Sequence, residues 1–170
     1  VGAAKEDDMS RAIVIRELGG PEVLKLEERT VGAPGPGEVK VRHEAIGLNF
    51  VEVYQRTGLY KVDLPFTPGL DFAGEVEAVG EGVVGLEVGA AVVGGARTGA
   101  FAQYIAVPVK ALRPKPARLS FGEAASYGAA YLTARVALAR RADLRPGEWL
   151  LVHGAAGGVG VAAVDLGKAM

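Results

Sequence analysis

The 170-residue sequence contains no cysteine, which excludes disulfides, thiolate zinc sites and a catalytic thiol. No apolar run approaches the roughly 18 residues that would indicate a membrane-spanning helix, and the N-terminal segment lacks the basic-then-apolar order of a secretory signal. The formal net charge of −1 gives no electrostatic reason to bind nucleic acid or an acidic membrane. These absences predict a cytoplasmic protein that binds a small molecule and has neither nucleic acid nor membrane as a partner.

Short runs of alternating apolar and polar residues fill the first 118 residues, separated by turns rich in glycine and proline. Three such runs are RAIVIRE, VLKLEERTV and GEVKVRHEAIGLN, and their pattern is typical of antiparallel strands at meander spacing. Short strands interrupted by glycines indicate a partly open barrel. Between them, the stretch 49–58 begins with an asparagine suited to cap a helix and ends with a glycine suited to terminate one. It predicts a short helix above the strands.

The pattern changes at Ser120, where a capping-box spacing to Glu123 and helical intervals of Ala, Leu and Arg predict two consecutive helices. The apolar run WLLV then predicts a strand, followed by a glycine-rich turn and an Ala/Val-rich helix that reaches Met170. Strand, glycine turn and helix form the opening unit of a parallel nucleotide-binding sheet. We therefore predict a mixed α/β chain with an N-terminal extension (1–10), a barrel (11–118) and the start of a Rossmann dinucleotide-binding domain (119–170).

The glycine turn has a specific chemical use. A strand that leads directly into a helix aims the first unbonded N–H groups and the positive end of the helix dipole at one point, which favours a pyrophosphate there. The glycines let such a group come close. We therefore predict that the turn binds a dinucleotide through Ala155, Ala156, Gly157, Gly158, Val159 and Gly160. The alternative is that Gly160 serves only the packing of the helix.

Several longer stretches carry a family resemblance. The stretch GEWLLVHGAAGGVGVAAVDLGK resembles the signature of the quinone oxidoreductase (zeta-crystallin) branch of the medium-chain dehydrogenase/reductase superfamily, and GGPEVL, GLNFVEVYQRTGLY, PFTPGLDFAGEVEAVGEGV and AAYLTARVAL are similar to the same branch. One position departs, since Asp165 stands where the signature has glutamine. The resemblance implies a GroES-like catalytic barrel followed by a Rossmann domain, with NADPH bound between them. It also implies a reductase.

The resemblance further implies chemistry without zinc. Zinc-dependent relatives use an early cysteine and a His-Glu pair, where this sequence has Asn49 and the tripeptide Gly69-Leu70-Asp71. The two histidines, His43 and His153, are more readily explained as surface or capped residues than as ligands, so we expect no metal. Without a Lewis acid the acceptor must already be reactive, which favours a quinone or an α,β-unsaturated carbonyl.

The expected catalytic residues are Asn49, Tyr54 and Tyr60. The Asn49 amide could donate to the substrate oxygen or simply cap the helix. The two phenols could donate to the substrate or line the cleft, but aromatic residues in such a helix are more often part of a core. Thr133 resembles the family threonine that bonds the nicotinamide carboxamide, or else it bonds its own helix.

Two other side chains have less defined roles. Arg56 could contact the cofactor phosphates or cover the surface with its stem. Asp71 could be a buried partner for Arg56 or another base.

A doubly wound sheet needs about five or six strands, and this sequence supplies one, so we expect the 170-residue chain to be incomplete and inactive on its own. The residues that distinguish NADPH from NADH would follow the second strand; NADPH is expected from the resemblance, and NADH stays open. Two alternatives remain: an enoyl-thioester reductase of the polyketide-synthase type, and a non-catalytic binding or structural protein of the same fold. Family members are often dimers, which implies a homodimer of the full-length form.

Overall fold

The computed structural model describes residues 9–170. The first eight residues of the predicted extension lie outside that range, whereas Met9 and Ser10 already belong to the first strand. The chain divides into two compact units, Val1–Ser126 and Tyr127–Met170. The boundary predicted at residues 118/119 stays a prediction.

Up to residue 120, the described part of the first unit contains seven strands and one α-helix. The strands are β1 (Met9–Val14), β2 (Lys25–Thr30), β3 (Glu38–Ile46), β4 (Asp71–Val79), β5 (Ala91–Gly95), β6 (Tyr104–Pro108) and β7 (Leu112–Pro114). Helix α1 spans Phe50–Arg56, and single 3-10 turns lie at Pro21–Val23 and Val109–Ala111. The predicted helix in 49–58 is confirmed.

Two antiparallel sheets form the barrel. Strands β1 and β2 pair as a hairpin, and the five-stranded sheet has the order β6-β3-β4-β5-β7. The expectation of a continuous meander was wrong for β3, because β3 pairs with β4 along one edge and β6 along the other. No edge of β3 is then available to β2. Two interruptions in the β3–β4 register bend the sheet, as bulges do.

The two sheets are joined by backbone hydrogen bonds rather than by a continuous ladder. Ile13 N–H donates to the Phe101 carbonyl at 2.8 Å, and Ile15 N–H donates to the Phe66 carbonyl at 2.8 Å. The buried centre of the large sheet is aliphatic apart from one ring, and consists of Val39, Val41, Phe72, Val76, Val92, Ala100, Ile105, Val107 and Leu112. The partly open barrel predicted for this part of the chain is confirmed.

Helices dominate the rest of the chain. Helix α2 (Phe121–Arg135) continues without a break into a π-helical segment, Val136–Arg141, and helix α3 spans Gly158–Ala169. The capping box at the start of α2 is confirmed, since the Glu123 carboxylate accepts from the Ser120 N–H at 2.8 Å. The two consecutive helices expected here correspond to α2 and the π-helical segment, between which the backbone of Arg135 stays helical (φ −61°, ψ −43°).

The predicted strand WLLV is not formed. Residues 149–152 have no regular secondary structure, Trp149 is fully exposed and Leu151 is exposed. A strand requires a hydrogen-bonded neighbour, and residues 127–170 contain no strand. The small apolar core of this unit lies instead between helices, at Ala134, Leu138, Ala162 and Ala163.

None of the helices described for residues 9–170 has the length and apolar character that crossing a membrane requires.

A half-buried histidine, His43, lies on β3. The Nδ1 atom of His43 is 2.7 Å from the Ala102 carbonyl oxygen, and its ring centroid is 4.8 Å from that of Phe72. Burial lowers the pKa of His43 below its ordinary value, although the carbonyls of Ala102 and Ala100 act in the opposite direction. The Nε2 atom is buried and makes no hydrogen bond within the described chain, so the folded protein favours the neutral ring.

We expect His43 to make the fold less stable in mild acid. Below about pH 6.5, the usual histidine pKa, the unfolded chain binds a proton at this ring that the folded chain does not. The free energy of unfolding should therefore decrease as the pH falls from about 8 to about 5, by at most about 1.4 kcal/mol per pH unit from this residue.

Urea unfolding at a series of pH values tests this expectation. His43→Phe should remove that part of the pH dependence, whereas His153→Gln, which replaces an exposed ring, should keep it. Identical pH profiles for wild type and His43→Phe would contradict the assignment.

Candidate functional site

Helix α1 begins at Asn49 for local reasons. Asn49 has an extended backbone (φ −125°, ψ 149°), and its N–H donates to the side chain of Glu52 as part of a capping box. At the other end, Gly58 has a φ of +83°, a conformation that favours glycine and terminates helices. The sequence thus fixes both ends of a short helix and places Asn49 at its start.

The Asn49 side chain is held by a buried carboxylate. Its Nδ2 atom donates to Asp71 Oδ2 at 3.0 Å, and Asp71 is only 6% exposed. Asp71 is the first residue of β4, and its carbonyl accepts from the Gly47 N–H at 2.9 Å. The bond therefore joins the start of α1 to the start of the central strand.

Arg56, one of the partners that the sequence offers for Asp71, bonds a loop carbonyl. The Arg56 guanidinium donates to the Gly19 carbonyl at 3.1 Å, and the Gly19 N–H donates back to the Arg56 carbonyl at 3.1 Å. Arg56 lies about two helical turns beyond Asn49, at the end of α1, and holds the loop before β2. Its role in this unit is to fix that loop.

A second buried carboxyl, Glu52, lies beside Asn49. It accepts hydrogen bonds from the backbone N–H groups of Asn49 and, at 3.3 Å, of Leu70. Burial raises the pKa of Glu52, and hydrogen bonds with the Asn49 N–H, the Asn49 side chain and the Leu70 N–H oppose the rise. We did not predict Glu52 as a site residue, although its position three residues after a capping asparagine was a signal for it.

The predicted tyrosines lie together. The ring centroids of Tyr54 and Tyr60 are 5.3 Å apart, and the ring of Phe50 lies 5.2 Å from that of Tyr54. The Tyr60 N–H also donates to the Tyr54 carbonyl at 3.0 Å. Tyr54 is half-buried and Tyr60 is 52% exposed, so the pair forms an accessible aromatic surface and is not part of the barrel core.

A shallow apolar groove of about 250 Å³ opens beside Asn49. Its walls come from the 3-10 turn before β2, from one side of α1 and from two loop residues. The lining residues are Pro21, Leu24, Leu48, Asn49, Glu52, Val53, Arg56, Pro68 and Phe101. Such a surface suits a small, flat, mainly apolar molecule with one polar group.

The glycine turn of the second unit is exposed and precedes a helix of twelve residues, α3. The first intrahelical hydrogen bond runs from the Val161 N–H to the Gly157 carbonyl at 2.8 Å, so the N–H groups of Gly158, Val159 and Gly160 precede it. The Gly157 N–H donates within the turn, to the Gly154 carbonyl at 3.0 Å. An anion at this helix end could bind the N–H groups of Gly158 and Val159, beside exposed Ala155 and Ala156.

Gly160 is required by the turn itself. A Cβ atom on Gly160 would lie 2.2 Å from the Gly154 carbonyl oxygen and 2.8 Å from the Ala155 Cα. The close approach at Gly160 is therefore to the turn itself and not to a strand. It closes the turn, and the closed turn determines the direction of the N–H groups.

The remaining predicted residues lie on the helices. Thr133 is exposed on α2. Asp165 on α3, the departure from the family signature, accepts from the Tyr131 hydroxyl at 3.0 Å. Tyr131 also stacks on Tyr127, with ring centroids 4.1 Å apart. The departure is thus accommodated by a phenol–carboxylate bond between α2 and α3.

Metal ligands do not gather in the part of the chain that the structure describes. No group of three or more His, Asp or Glu side chains there has a metal-binding arrangement. Asn49 and Asp71 contribute one amide and one carboxylate, a donor pair without the thiolate or imidazole that zinc sites usually contain.

Comparison with known proteins identifies both parts of the chain. Residues 35–117 match the alcohol dehydrogenase GroES-like domain. The chain is 42% identical over 165 residues to a quinone oxidoreductase of Lama guanicoe, covering 95% of this chain and 50% of that protein. It is also 42% identical over 160 residues to a synaptic vesicle membrane protein VAT-1 homolog of Rattus norvegicus, covering 92% of this chain and 40% of the relative. The chain thus spans about half the length of these relatives or less.

Solved structures agree with the fold. Quinone oxidoreductase of Escherichia coli, complexed with NADPH, superposes with a TM-score of 0.85 at 36% identity, over 94% of this chain and 49% of that one. The CurK enoyl reductase superposes with a TM-score of 0.87 at 32% identity, over 94% of this chain and 51% of that one.

We expect Gly160→Ala to destabilise the second unit, because its methyl group would overlap backbone atoms that cannot rotate away. Overpacking of this kind costs about 1–3 kcal/mol. The matched control is Gly158→Ala, since a Cβ there meets nothing nearer than the Ala130 Cβ at 4.0 Å. Urea unfolding followed by the NMR resonances of Tyr127–Met170 gives the measurement. Equal midpoints for the two variants would show that the close approach to Gly154 is not a constraint.

Proposed function

We propose that the chain belongs to the quinone oxidoreductase (zeta-crystallin-like) branch of the medium-chain dehydrogenase/reductase superfamily, to whose members it is similar, and that it contributes the acceptor-binding barrel and the first phosphate-binding element of an NADPH-dependent quinone reductase. The observation that carries the proposal is the exposed glycine turn at the start of α3. Its closed backbone leaves the N–H groups of Gly158 and Val159 before the first intrahelical bond.

The turn fits a dinucleotide in two respects. Its residues carry no side chain larger than a methyl group between Gly154 and Gly158, so a pyrophosphate can approach the backbone. The positive end of the α3 dipole adds to the attraction. Ala155, Ala156, Gly158 and Val159 would contact the phosphates, and Gly157 and Gly160 would hold the turn closed. Thr133 would bond the nicotinamide carboxamide.

The barrel residues would orient the acceptor. A bound nicotinamide supplies a hydride, and the acceptor oxygen gains negative charge as the hydride arrives. The Asn49 amide would donate a hydrogen bond to that oxygen, and Tyr54 and Tyr60 would offer phenols and ring faces beside it. The apolar groove next to Asn49 would exclude water from one side of the acceptor.

The donor set favours acceptors that are already electrophilic. Amide and phenol donors stabilise a developing oxyanion less strongly than a metal ion does, and conjugated acceptors need less stabilisation because the added charge spreads over the ring or the enone. We therefore propose quinones and α,β-unsaturated carbonyls as the substrate class, without zinc. The preference for NADPH over NADH, a cytoplasmic location and a homodimer belong to the same proposal and rest on the family.

Two other functions stay in the proposal as alternatives. The likeness to the CurK enoyl reductase favours an enoyl thioester as the second candidate substrate, because an enone and an enoyl thioester accept hydride at the same conjugated position. The likeness to proteins named for synaptic vesicle membranes keeps a non-catalytic role open.

A reductase assay tests these functions. The longest natural form of the protein that contains these residues would be given NADPH or NADH with 1,4-benzoquinone, an enone or an enoyl thioester. We expect quinone and enone reduction with NADPH, and we expect the 170-residue chain alone to be inactive. A faster reaction with the enoyl thioester would favour the second candidate, and no nicotinamide binding at all would favour the non-catalytic role.

Asn49→Ala should lower kcat for the quinone by about 100-fold, the usual effect of removing one donor to a developing oxyanion. The matched control is Val84→Ala, which shortens an exposed loop side chain and should leave kcat unchanged. Equal rates for wild type and Asn49→Ala would exclude Asn49 as the donor.

A further inference from the structure

Asp71 is a buried carboxylate with a defined partner and no assigned function. Its Oδ2 lies 3.0 Å from Asn49 Nδ2, and the two residues are 22 positions apart in the chain. Burying a carboxylate is costly unless hydrogen bonds compensate it. The contact with the Asn49 amide is part of that compensation, so the two side chains constrain each other.

The position of Asp71 itself is tightly fixed. As the first residue of β4 it pairs with Gly95 of β5, and its carbonyl accepts from the Gly47 N–H at 2.9 Å. A Cβ on Gly47 would lie 2.9 Å from the Asp71 Cβ, so backbone passes directly against this side chain. Asp71 therefore acts as a rigid reference point for whatever it bonds.

The Asn49 backbone is held from the other side. Its N–H donates to the carboxyl group of Glu52. The same carboxyl group accepts from the N–H of Leu70, which is the residue before Asp71. The Asn49 side chain is also the capping-box partner of the Glu52 N–H, so Glu52 and Asp71 together restrict the rotation of the Asn49 side chain.

An asparagine amide has two orientations that differ in which atom faces a given partner. An ionised carboxylate only accepts hydrogen bonds, so it selects the orientation that turns NH₂ toward it. Because the amide is planar, fixing one N–H on Asp71 also fixes the direction of the second N–H. A flipped amide would exchange that second N–H for a carbonyl oxygen, which repels an acceptor oxygen.

We propose that Asp71 is a positioning residue that selects the donor orientation of the Asn49 amide. It does not touch the substrate in this assignment, and it acts through Asn49. The expected effect of Asp71 on turnover rests on the proposed function. The expected effect of Asp71 on the orientation of the Asn49 side chain does not depend on that function.

The main test is a double-mutant cycle on quinone reduction in the longest natural form of the protein. Asp71→Asn keeps the shape of the side chain but pairs with either orientation of the Asn49 amide, so we expect kcat to fall about tenfold, an effect of misorientation, with the KM for NADPH unchanged. In an Asn49→Ala background the same substitution should have no further effect, because the group through which it acts is gone. Asp63→Asn, which alters an exposed carboxylate, is the control.

The results separate the two claims. If Asn49→Ala leaves kcat unchanged, the proposed donor role of Asn49 fails. If Asn49→Ala lowers kcat but Asp71→Asn lowers it by the same factor with and without Asn49, the positioning role fails while the proposed function stands.

If Asp71→Asn does not fold, the exchanged pair Asn49→Asp with Asp71→Asn keeps one amide and one carboxylate in contact. We expect that variant to fold with low kcat, and wild-type kcat would overturn the inference.

A measurement without turnover covers the case of an inactive protein. The side-chain NH₂ resonances of Asn49 can be observed by NMR in the 170-residue chain, where we expect the proton bonded to Asp71 to be shifted downfield and to exchange slowly with solvent. Asp71→Asn should move both resonances and speed their exchange, and Asp63→Asn should not. Unchanged Asn49 resonances in Asp71→Asn would overturn the inference.

Discussion

A part-buried hydrogen bond between Asn49 and Asp71 joins the first turn of α1 to the first residue of β4. A hydrogen bond to a charged group contributes about 1.5–3 kcal/mol, so the bond constrains where the helix starts relative to the sheet. The position of α1 then determines one wall of the apolar groove, through Glu52, Val53 and Arg56. It also determines where the aromatic pair Tyr54 and Tyr60 faces.

The features that the sequence predicted well are those determined by interactions between residues only a few positions apart in the chain. The ends of α1 follow from an asparagine that caps and a glycine with positive φ, and the start of α2 follows from the Ser120–Glu123 capping box. The composition of the turn at 154–160 likewise identified a close backbone approach, which the structure locates between Gly160 and Gly154. In each case the interacting groups are neighbours in the chain, so their spacing alone carries the signal.

The features that sequence did not predict depend on distant partners. Alternation along β3 indicates a strand but does not indicate that its neighbours are β4 and β6. The apolar run at 149–152 has the composition of a strand, yet a strand needs another strand beside it and residues 127–170 contain none. Arg56 and Asp71 are complementary in charge, but Arg56 reaches a loop carbonyl and Asp71 bonds an amide instead. The charges and the hydrophobic pattern of a sequence indicate which residues could interact. The topology of the fold determines which of them are close enough to do so.

The candidate site of one unit consists of backbone groups, and that of the other consists of side chains. The turn before α3 uses backbone N–H groups, so what it requires of the sequence is small side chains, which Ala155 and Ala156 supply beside the glycines. The site at α1 uses side chains that are oriented by two buried carboxyls, Glu52 and Asp71. Its requirements are the identities of particular residues and not their size alone. Glycine patterns can therefore reveal the first kind of site in a single sequence, whereas the second kind becomes visible only when residues 22 positions apart are seen in contact.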